Sequence, residues 1–95
     1  MKFTFSGTML RFVEYAKEVE ISEPTFQRAL EALVSRNPQL QSVLLDGEGN
    51  LRRTHQMFLN GQSMDPRYYA DTQARGELAM QPDDSVYILT AIAGG

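Results

Sequence analysis

The sequence predicts an α+β fold, in which one main helix packs on one face of a mixed sheet. Residues 2–6 alternate polar and apolar side chains, which is typical of a strand with one buried face. The apolar run at residues 86–89 is typical of a last strand in which one alternate pair of side chains faces the core and the other pair faces outward. Between these two strands, four apolar residues recur at the spacing of one helix face: Phe26, Ala29, Leu30 and Leu33. Because the chain has 95 residues, of which 42% are hydrophobic, we expect these elements to share one modest core.

The composition excludes several classes of protein. The chain contains no cysteine and one histidine, His55, which excludes disulfide scaffolds, zinc fingers, iron–sulfur sites, thiol nucleophiles and histidine-rich metal sites. The net charge of −3 argues against binding to nucleic acid or to anionic lipid. No apolar stretch is long enough to cross a membrane. We therefore expect a small soluble protein of the cytoplasm that is not an enzyme and holds neither metal nor cofactor.

Short strands are predicted at the start of the chain. Residues 2–6 form the first strand, and Gly7-Thr8 follows as a turn. Residues 9–15 are rich in apolar side chains and fit either a second strand or an irregular arm. Residues 18–22 alternate polar and apolar side chains again, so the sequence predicts an amino-terminal hairpin.

The main helix is predicted over residues 24–36. Pro24 suits the first helical position, where its missing N–H is not needed, and Glu23 complements the positive end of the helix dipole. Asn37-Pro38 ends the helix, because the residue before a proline is disfavoured in the helical conformation.

Turn signals divide the second half of the chain. Residues 56–59 lead into the Asn-Gly pair at 60–61, which predicts a hairpin because both residues accept a positive φ. Residues 68–79 fit either a short helix or an irregular covering loop. A Pro-Asp-Asp turn at 82–84 then precedes the last strand.

These elements fit a β-grasp arrangement, in which the first and last strands pair in parallel at the centre of the sheet and the helix covers one face. The competing arrangement is a ferredoxin-like βαββαβ fold, which needs a full second helix over residues 68–79. Gly76 and the weak apolar period of that segment argue against such a helix. We expect one β-grasp domain over residues 1–89 and a flexible tail over residues 90–95.

The last three residues of the sequence, Ala93-Gly94-Gly95, are the feature that points to chemistry. Six extended residues reach about 20 Å, and glycine passes where a Cβ would clash, so a narrow channel in a partner enzyme could admit this end. The carboxylate of Gly95, with an ordinary pKa of about 3.5, is a poor electrophile at neutral pH. To accept a nucleophile it would first need activation, most simply as an acyl-adenylate formed from ATP.

Here the sequence resembles the ubiquitin-like sulfur carriers of the MoaD/ThiS group. Residues 82–89 and 91–95 carry the resemblance, with support from the opening strand, Arg11, the main helix and the strand that ends at residues 60–61. In such carriers a ubiquitin-activating-type enzyme adenylates the terminal glycine, and a sulfur donor converts the adenylate into a thiocarboxylate. The thiocarboxylate then delivers sulfur in the biosynthesis of a cofactor, of cysteine or of a siderophore.

The resemblance implies roles for six residues. Gly95 would carry the adenylate and then the thiocarboxylate, and Gly94 would form the slender neck of the tail. Four residues would contact the activating enzyme: Leu89, Ile92, Ala93 and Arg11. The implied partners are this ATP-using adenylating enzyme, a sulfurtransferase or sulfide donor, and the biosynthetic enzyme that accepts the sulfur. In some relatives a metalloprotease exposes the diglycine, which adds such a protease to the implied partners. The chain departs from the group in its extra residues between positions 61 and 82.

Two other functions stay open on the sequence alone. One is a ubiquitin-like modifier, whose Gly95 forms isopeptide bonds with lysines of other proteins, and the other is a binding module that uses only its sheet surface. We expect His55 to be a solvated residue at the start of a strand, beside Arg52-Arg53. The pair Tyr68-Tyr69 either covers the sheet or meets a partner.

Overall fold

Five strands and four α-helices make up the part of the chain that the computed structural model describes, residues 1–13 and 18–90. The strands are β1 (Lys2–Phe5), β2 (Glu18–Glu20), β3 (His55–Leu59), β4 (Gln62–Ser63) and β5 (Ser85–Thr90). The helices are α1 (Phe26–Arg36), α2 (Leu40–Leu44), α3 (Arg67–Ala70) and α4 (Thr72–Glu77). A 3-10 helix spans Gly7–Val13. It includes residues 9–13, for which the sequence allowed either a second strand or an irregular arm. None of the helices in these ranges is long and apolar enough to cross a membrane.

The strands form one mixed sheet in the order β2-β1-β5-β3-β4. β1 and β5 pair in parallel, with Phe3 opposite Val86, and β3 pairs antiparallel with β5 on the other side. This confirms the predicted α+β fold with the first and last strands adjacent. The ferredoxin-like alternative is wrong, because residues 68–79 contribute to α3 and α4, which have only four and six residues and do not form one covering helix.

The core lies between α1 and the inner face of the sheet. α1 buries the four residues predicted from the helical spacing: Phe26, Ala29, Leu30 and Leu33. Alternation along β5 turns Val86 and Ile88 toward the helix, and both side chains are fully buried. The rings of Phe3 and Phe26 stack with their centroids 6.5 Å apart, which joins β1 to α1.

The main helix begins two residues later than the sequence predicted. Thr25 is its N-cap: the backbone there is extended, and its hydroxyl accepts a hydrogen bond from the N–H of Arg28 at 3.2 Å. Thr25 also forms a bridge with Ala79, so Pro24 lies before the cap and is not the first helical residue. A threonine side chain satisfies a free N–H of the first turn, which a proline cannot do, and this decides the boundary.

His55 is buried, contrary to the prediction of a solvated residue. Only 4% of it is exposed, and its Nε2 lies 2.7 Å from the carbonyl oxygen of Val43, which can only accept, so Nε2 donates. The prediction was wrong because it relied on the exposed neighbours Arg52 and Arg53. The inward alternation of β3 begins at His55 and continues at Met57.

The hairpin predicted at residues 60–61 is present and is tied to the start of β5. Asn60 and Gly61 have φ values of 52° and 83°, as a two-residue hairpin turn requires. The Asn60 amide donates to the carboxylate of Asp84 at 2.9 Å, and its carbonyl oxygen accepts from the N–H of Ser85 at 2.9 Å. The two turns predicted from composition therefore hold each other in place.

Arg75 of α4 is fully buried, and nothing in the sequence analysis singled it out. The five N–H groups of its guanidinium lie within hydrogen-bond distance of six oxygens, all of them neutral. The acceptors are the side chains of Gln27, Asn50 and Thr72 and the backbone carbonyls of Gly49, Tyr68 and Tyr69. One side chain therefore joins α1, the turn at residues 46–50, α3 and α4.

Candidate docking site at the end of the central strand

The outward-facing residues of β5 are the starting point of the site. Alternation places Tyr87 and Leu89 on the face opposite α1, and each is 38% exposed. Among the side chains that the structure describes, they are the two large apolar ones that stay exposed to this degree. An exposed apolar pair on the central strand costs free energy in water, so it indicates a contact surface.

A third apolar residue extends this surface across the sheet. Phe58 of β3 lies directly opposite Tyr87, with ring centroids 6.3 Å apart and planes inclined at 54°. Tilted aromatic pairs across neighbouring strands stabilise their register and hold both rings in place. We refer to Phe58, Tyr87 and Leu89 as the outer patch.

Polar side chains surround the outer patch. Gln56 stands opposite Leu89, and Thr4 stands opposite Tyr87 on the other side of β5. Farther out, the ammonium of Lys2 lies 3.9 Å from the carboxylate of Glu18. An apolar centre with a polar rim is the usual anatomy of a protein–protein interface.

β5 remains paired up to the point where the predicted tail starts. Its last residue, Thr90, pairs with His55 of β3. On the other side, the 3-10 helix that follows β1 contacts β5. Because β1 and β5 run parallel, the carboxyl ends of both strands lie at the same end of the sheet.

The structure places the six predicted site residues unequally. Leu89 is exposed on the outer patch, as a contact role requires. Arg11 lies in the 3-10 helix beside β5, but its side chain is outside the described part of the chain. Four further predicted residues lie outside the described residues: Ile92, Ala93, Gly94 and Gly95. Their roles stay predictions.

The sequence analysis did not single out Phe58 and Tyr87, although a signal for both was present. The alternation of residues 86–89 predicted that one pair faces the core and the other faces outward, without deciding which. The hairpin at residues 60–61 fixes the register of β3 against β4, but it does not decide which face of β3 meets the core.

The apolar side chains of the outer patch can form contacts with another protein. Within the described ranges, no three His, Asp or Glu side chains come together as metal ligands would. The turn Gly47-Glu48-Gly49 lacks the length, lysine and hydroxyl of a phosphate-binding loop. The outer patch is therefore a candidate contact surface, and it lies beside Thr90 at the end of β5.

No protein-family model matches the chain, and no curated protein matches it. Several solved structures resemble it over nearly its whole length. A chain in the BexX/CysO complex of Amycolatopsis orientalis superposes with a TM-score of 0.74 at 20% identity, covering 99% of this chain and 98% of that one. SAMP1 from Haloferax volcanii superposes with a TM-score of 0.75 at 20% identity, covering 100% of this chain and 98% of that one. Urm1 from Sulfolobus solfataricus superposes with a TM-score of 0.68 at 13% identity, covering 95% of this chain and 99% of that one.

At these identities the likeness concerns the fold. The similarity extends over all or nearly all of both chains in each case, so it concerns the complete arrangement of sheet and helices and not a shared fragment. With the strand order and the parallel pairing of β1 and β5, it confirms the fold that the sequence predicted. The chain has the ubiquitin-like β-grasp fold.

Proposed function

We propose that this chain is a sulfur carrier whose Gly95 carboxylate is adenylated and then converted into a thiocarboxylate. The observation that carries the proposal is the position of Thr90, at the end of β5 and beside the outer patch. β5 is a central strand, it stays paired up to Thr90, and it presents the outer patch immediately before the segment that ends in Gly94-Gly95. The proposal requires a free carboxylate at Gly95, whether the protein ends there or a protease cuts after it.

The proposed reaction has two steps. A carboxylate oxygen of Gly95 attacks the α-phosphorus of ATP and displaces pyrophosphate, which leaves an acyl-adenylate. A hydrosulfide or persulfide sulfur then attacks the carbonyl carbon and expels AMP, so that a C–O bond is replaced by a C–S bond. With hydrosulfide no electrons are transferred, whereas a persulfide donor also needs a thiol reductant to release the product from the mixed acyl disulfide.

The fold would contribute rigid presentation to this chemistry. A partner that recognises the outer patch fixes the position of Thr90, and the slim residues that follow can then reach an ATP site inside the partner. The solved BexX/CysO complex supports this proposal in one respect, because a protein of the same fold is found there in complex with a second protein. We propose an adenylating enzyme as the corresponding partner of this chain.

Intact-mass spectrometry tests the proposal. The purified chain, with its carboxyl terminus first verified by mass, is incubated with a candidate adenylating enzyme encoded near its gene, Mg-ATP and sulfide. We expect the mass gain of one oxygen replaced by sulfur, located at Gly95 by fragmentation, together with exchange of labelled pyrophosphate into ATP.

A chain lacking Gly95 is the matched control, because it keeps every residue of the folded domain. It should show neither the mass gain nor the pyrophosphate exchange. If the intact chain supports no exchange with any adenylating enzyme of its own organism, the proposal is wrong.

A second candidate function is a protein modifier joined through Gly95 to lysines of other proteins. The observation that favours it is the fold shared with Haloferax volcanii SAMP1, a small archaeal modifier protein. Both functions need the same adenylation, so a cell extract separates them. Higher-mass conjugates that disappear when Gly95 is deleted would support the modifier, whereas a thiocarboxylate without conjugates would support the carrier.

A further inference from the structure

A second apolar surface lies on the flank of α1, next to the helix face that packs on the sheet. It is a groove of about 300 Å³ between α1, α2 and the turn at residues 46–50. Its apolar residues are Leu30, Val34 and Leu45, and its polar walls include Gln27, Glu31 and Gln41. We refer to it as the α1–α2 groove.

The spacing of α1 explains why the groove is apolar. Leu30 and Val34 are four residues apart and therefore lie one above the other on the helix. Leu30 also belongs to the face that packs on the sheet, so the apolar surface of α1 extends beyond the core. Val34 and Leu45 are half-buried and pack against the core cluster while they line the groove.

The groove is held open by hydrogen bonds that do not involve a ligand. The buried guanidinium of Arg75 donates to Gln27 Oε1 at 2.6 Å on one wall and to Asn50 Oδ1 at 3.0 Å beside the other. Gln27 in turn donates to the carboxylate of Glu31 at 3.0 Å. A surface fixed in this way loses little conformational entropy when a partner binds.

Carboxylates predominate around the groove. Glu31 lines it directly, Glu48 precedes its lining residue Gly49, and Asp46 lines a depression that shares Gln41 and Leu45 with it. The N–H groups of Asn50 and Glu48 hold the pKa of Asp46 below its usual range, so this carboxylate stays ionised. Two cations oppose these three carboxylates: Arg52, which lines the depression, and the buried guanidinium of Arg75 behind Gln27 and Asn50.

We propose that the α1–α2 groove docks a short linear segment of a partner protein, with an aliphatic side chain beside lysine or arginine. The aliphatic side chain would fill the space over Leu30, Val34 and Leu45, and the cations would face Glu31 and the turn at residues 46–50. This inference goes beyond the sulfur-carrier proposal and does not depend on the chemistry at Gly95.

The size and charge of the groove favour this occupant over two others. A stable dimer needs roughly 20–30 residues from each partner, whereas eight residues line this groove. A globular second copy is therefore a poorer fit than a segment of a few residues. Residues 91–95 of the chain itself carry no cation that would match the carboxylates.

The groove and the outer patch are formed by different residues. The outer patch lies on the face of the sheet opposite α1, and the groove is lined by α1, α2 and the turn at residues 46–50. Binding of one partner to the outer patch therefore leaves the residues of the groove free for a second partner.

Titration of the isotope-labelled full chain with two short peptides, followed by NMR, tests the proposal. The probes are acetyl-Arg-Leu-Val-Arg-amide and its matched counterpart acetyl-Glu-Leu-Val-Glu-amide. We expect the basic peptide to shift the resonances of Leu30, Val34 and Leu45 in a saturable and salt-sensitive way. The acidic peptide should bind at least about tenfold more weakly, because its charges face carboxylates.

Two charge reversals on the protein complete the test. Glu31→Arg should weaken binding of the basic peptide about fivefold, and Glu18→Arg, on β2 away from the groove, should leave it unchanged. Val34→Asp places a charge in the groove and should abolish the shifts, and circular dichroism checks that this variant still folds.

Three outcomes would overturn the proposal. The first is that neither peptide shifts the groove residues at millimolar concentration, and the second is that both peptides bind equally well. The third is that another occupant fills the groove. Concentration-dependent sedimentation, with the same resonances shifting without peptide, would assign the groove to a second copy, and shifts produced by deleting residues 91–95 would assign it to the tail.

Discussion

At the scale of single residues, Arg75 joins α1 to the second half of the chain. Its fully buried guanidinium lies within hydrogen-bond distance of six oxygens from four segments. Removing it therefore leaves several buried acceptors without a hydrogen-bond donor. We expect Arg75→Met to lower the free energy of unfolding by about 3 kcal/mol in urea denaturation. Arg75→Lys, which keeps the charge but cannot span these acceptors, should lose nearly as much.

The control for this prediction is Arg28→Met, at an exposed position of α1. It should change the stability by less than about 0.5 kcal/mol. Burial lowers the pKa of Arg75, but an arginine remains charged throughout the range in which the protein can be studied. The difference in the free energy of unfolding between the parent and Arg75→Met should therefore not vary with pH. If Arg75→Met and Arg28→Met are equally stable, the hydrogen bonds of Arg75 do not stabilise the fold.

Asp84 gives a prediction that does depend on pH. Hydrogen bonds from the Asn60 side chain and from the N–H of Gln81 hold its pKa below the usual range. A lowered folded-state pKa stabilises the protein above the unfolded-state pKa of about 4, and this contribution is lost as pH falls through the folded-state value. We expect Asp84→Asn to be less stable than the parent at pH 7, and the gap to close in acid.

Thermal melts of the two proteins between neutral and acidic pH measure this gap. Asp83→Asn changes the exposed neighbouring position in the same turn. The difference in melting temperature between this variant and the parent should stay constant across the pH range. A gap between Asp84→Asn and the parent that is constant with pH would show that the charge of Asp84 does not contribute.

At the scale of elements, two glycines should respond to alanine in opposite directions. Gly61 has a φ of +83° in the β3–β4 turn, where any Cβ is strained even though space is open, so Gly61→Ala should cost about 1 kcal/mol. Gly76 lies in α4 with open space around it, so Gly76→Ala should stabilise the protein by about 0.5–1 kcal/mol.

Melting temperatures of the two variants check these signs, with Gly47→Ala as the control. Gly47 has open space around it and does not adopt a left-handed backbone, so Gly47→Ala should change the melting temperature little. Loss of stability in Gly76→Ala would mean that α4 needs flexibility at that point.

The elements also show how far sequence patterns extend. The helical face of α1 and the hairpin at residues 60–61 were predictable, because periodicity and turn chemistry are local. α2 was not predicted, because five residues give too short a pattern, and its formation depends on burying Leu40 and Leu44. For the same reason residues 68–79 stayed ambiguous: α3 and α4 are held by Arg75 and by Tyr69, whose hydroxyl accepts from the N–H of Met57 at 2.7 Å.

At the scale of the whole molecule, the outer patch should matter for partner recognition and little for folding. Leu89 is exposed, so Leu89→Asp removes contact area without opening the core. In pyrophosphate exchange with the adenylating enzyme we expect KM for the chain to rise about tenfold with kcat nearly unchanged. Ser63→Asp, on the edge strand β4, is the control and should leave KM as it was.

A structural role for Leu89 would give a different result. The melting temperature of Leu89→Asp would then fall, and KM would follow the fraction of folded protein. A variant with an unchanged melting temperature and an unchanged KM would remove the outer patch from the proposed interface.

The buried face of α1 and the hairpin turn were predictable from the sequence, because periodicity and backbone preferences act over a few neighbouring positions. The fold class and the pairing of the first and last strands followed from the order of these elements and from the small number of ways in which they can pack. The outward direction of Tyr87 and Leu89, the burial of His55 and the contacts of Arg75 became known from the tertiary structure alone. Each of these depends on which distant segment lies opposite: α1 on one face of β5, Val43 beside His55, and four segments around one guanidinium. Contacts between residues far apart in the chain leave no local pattern to read.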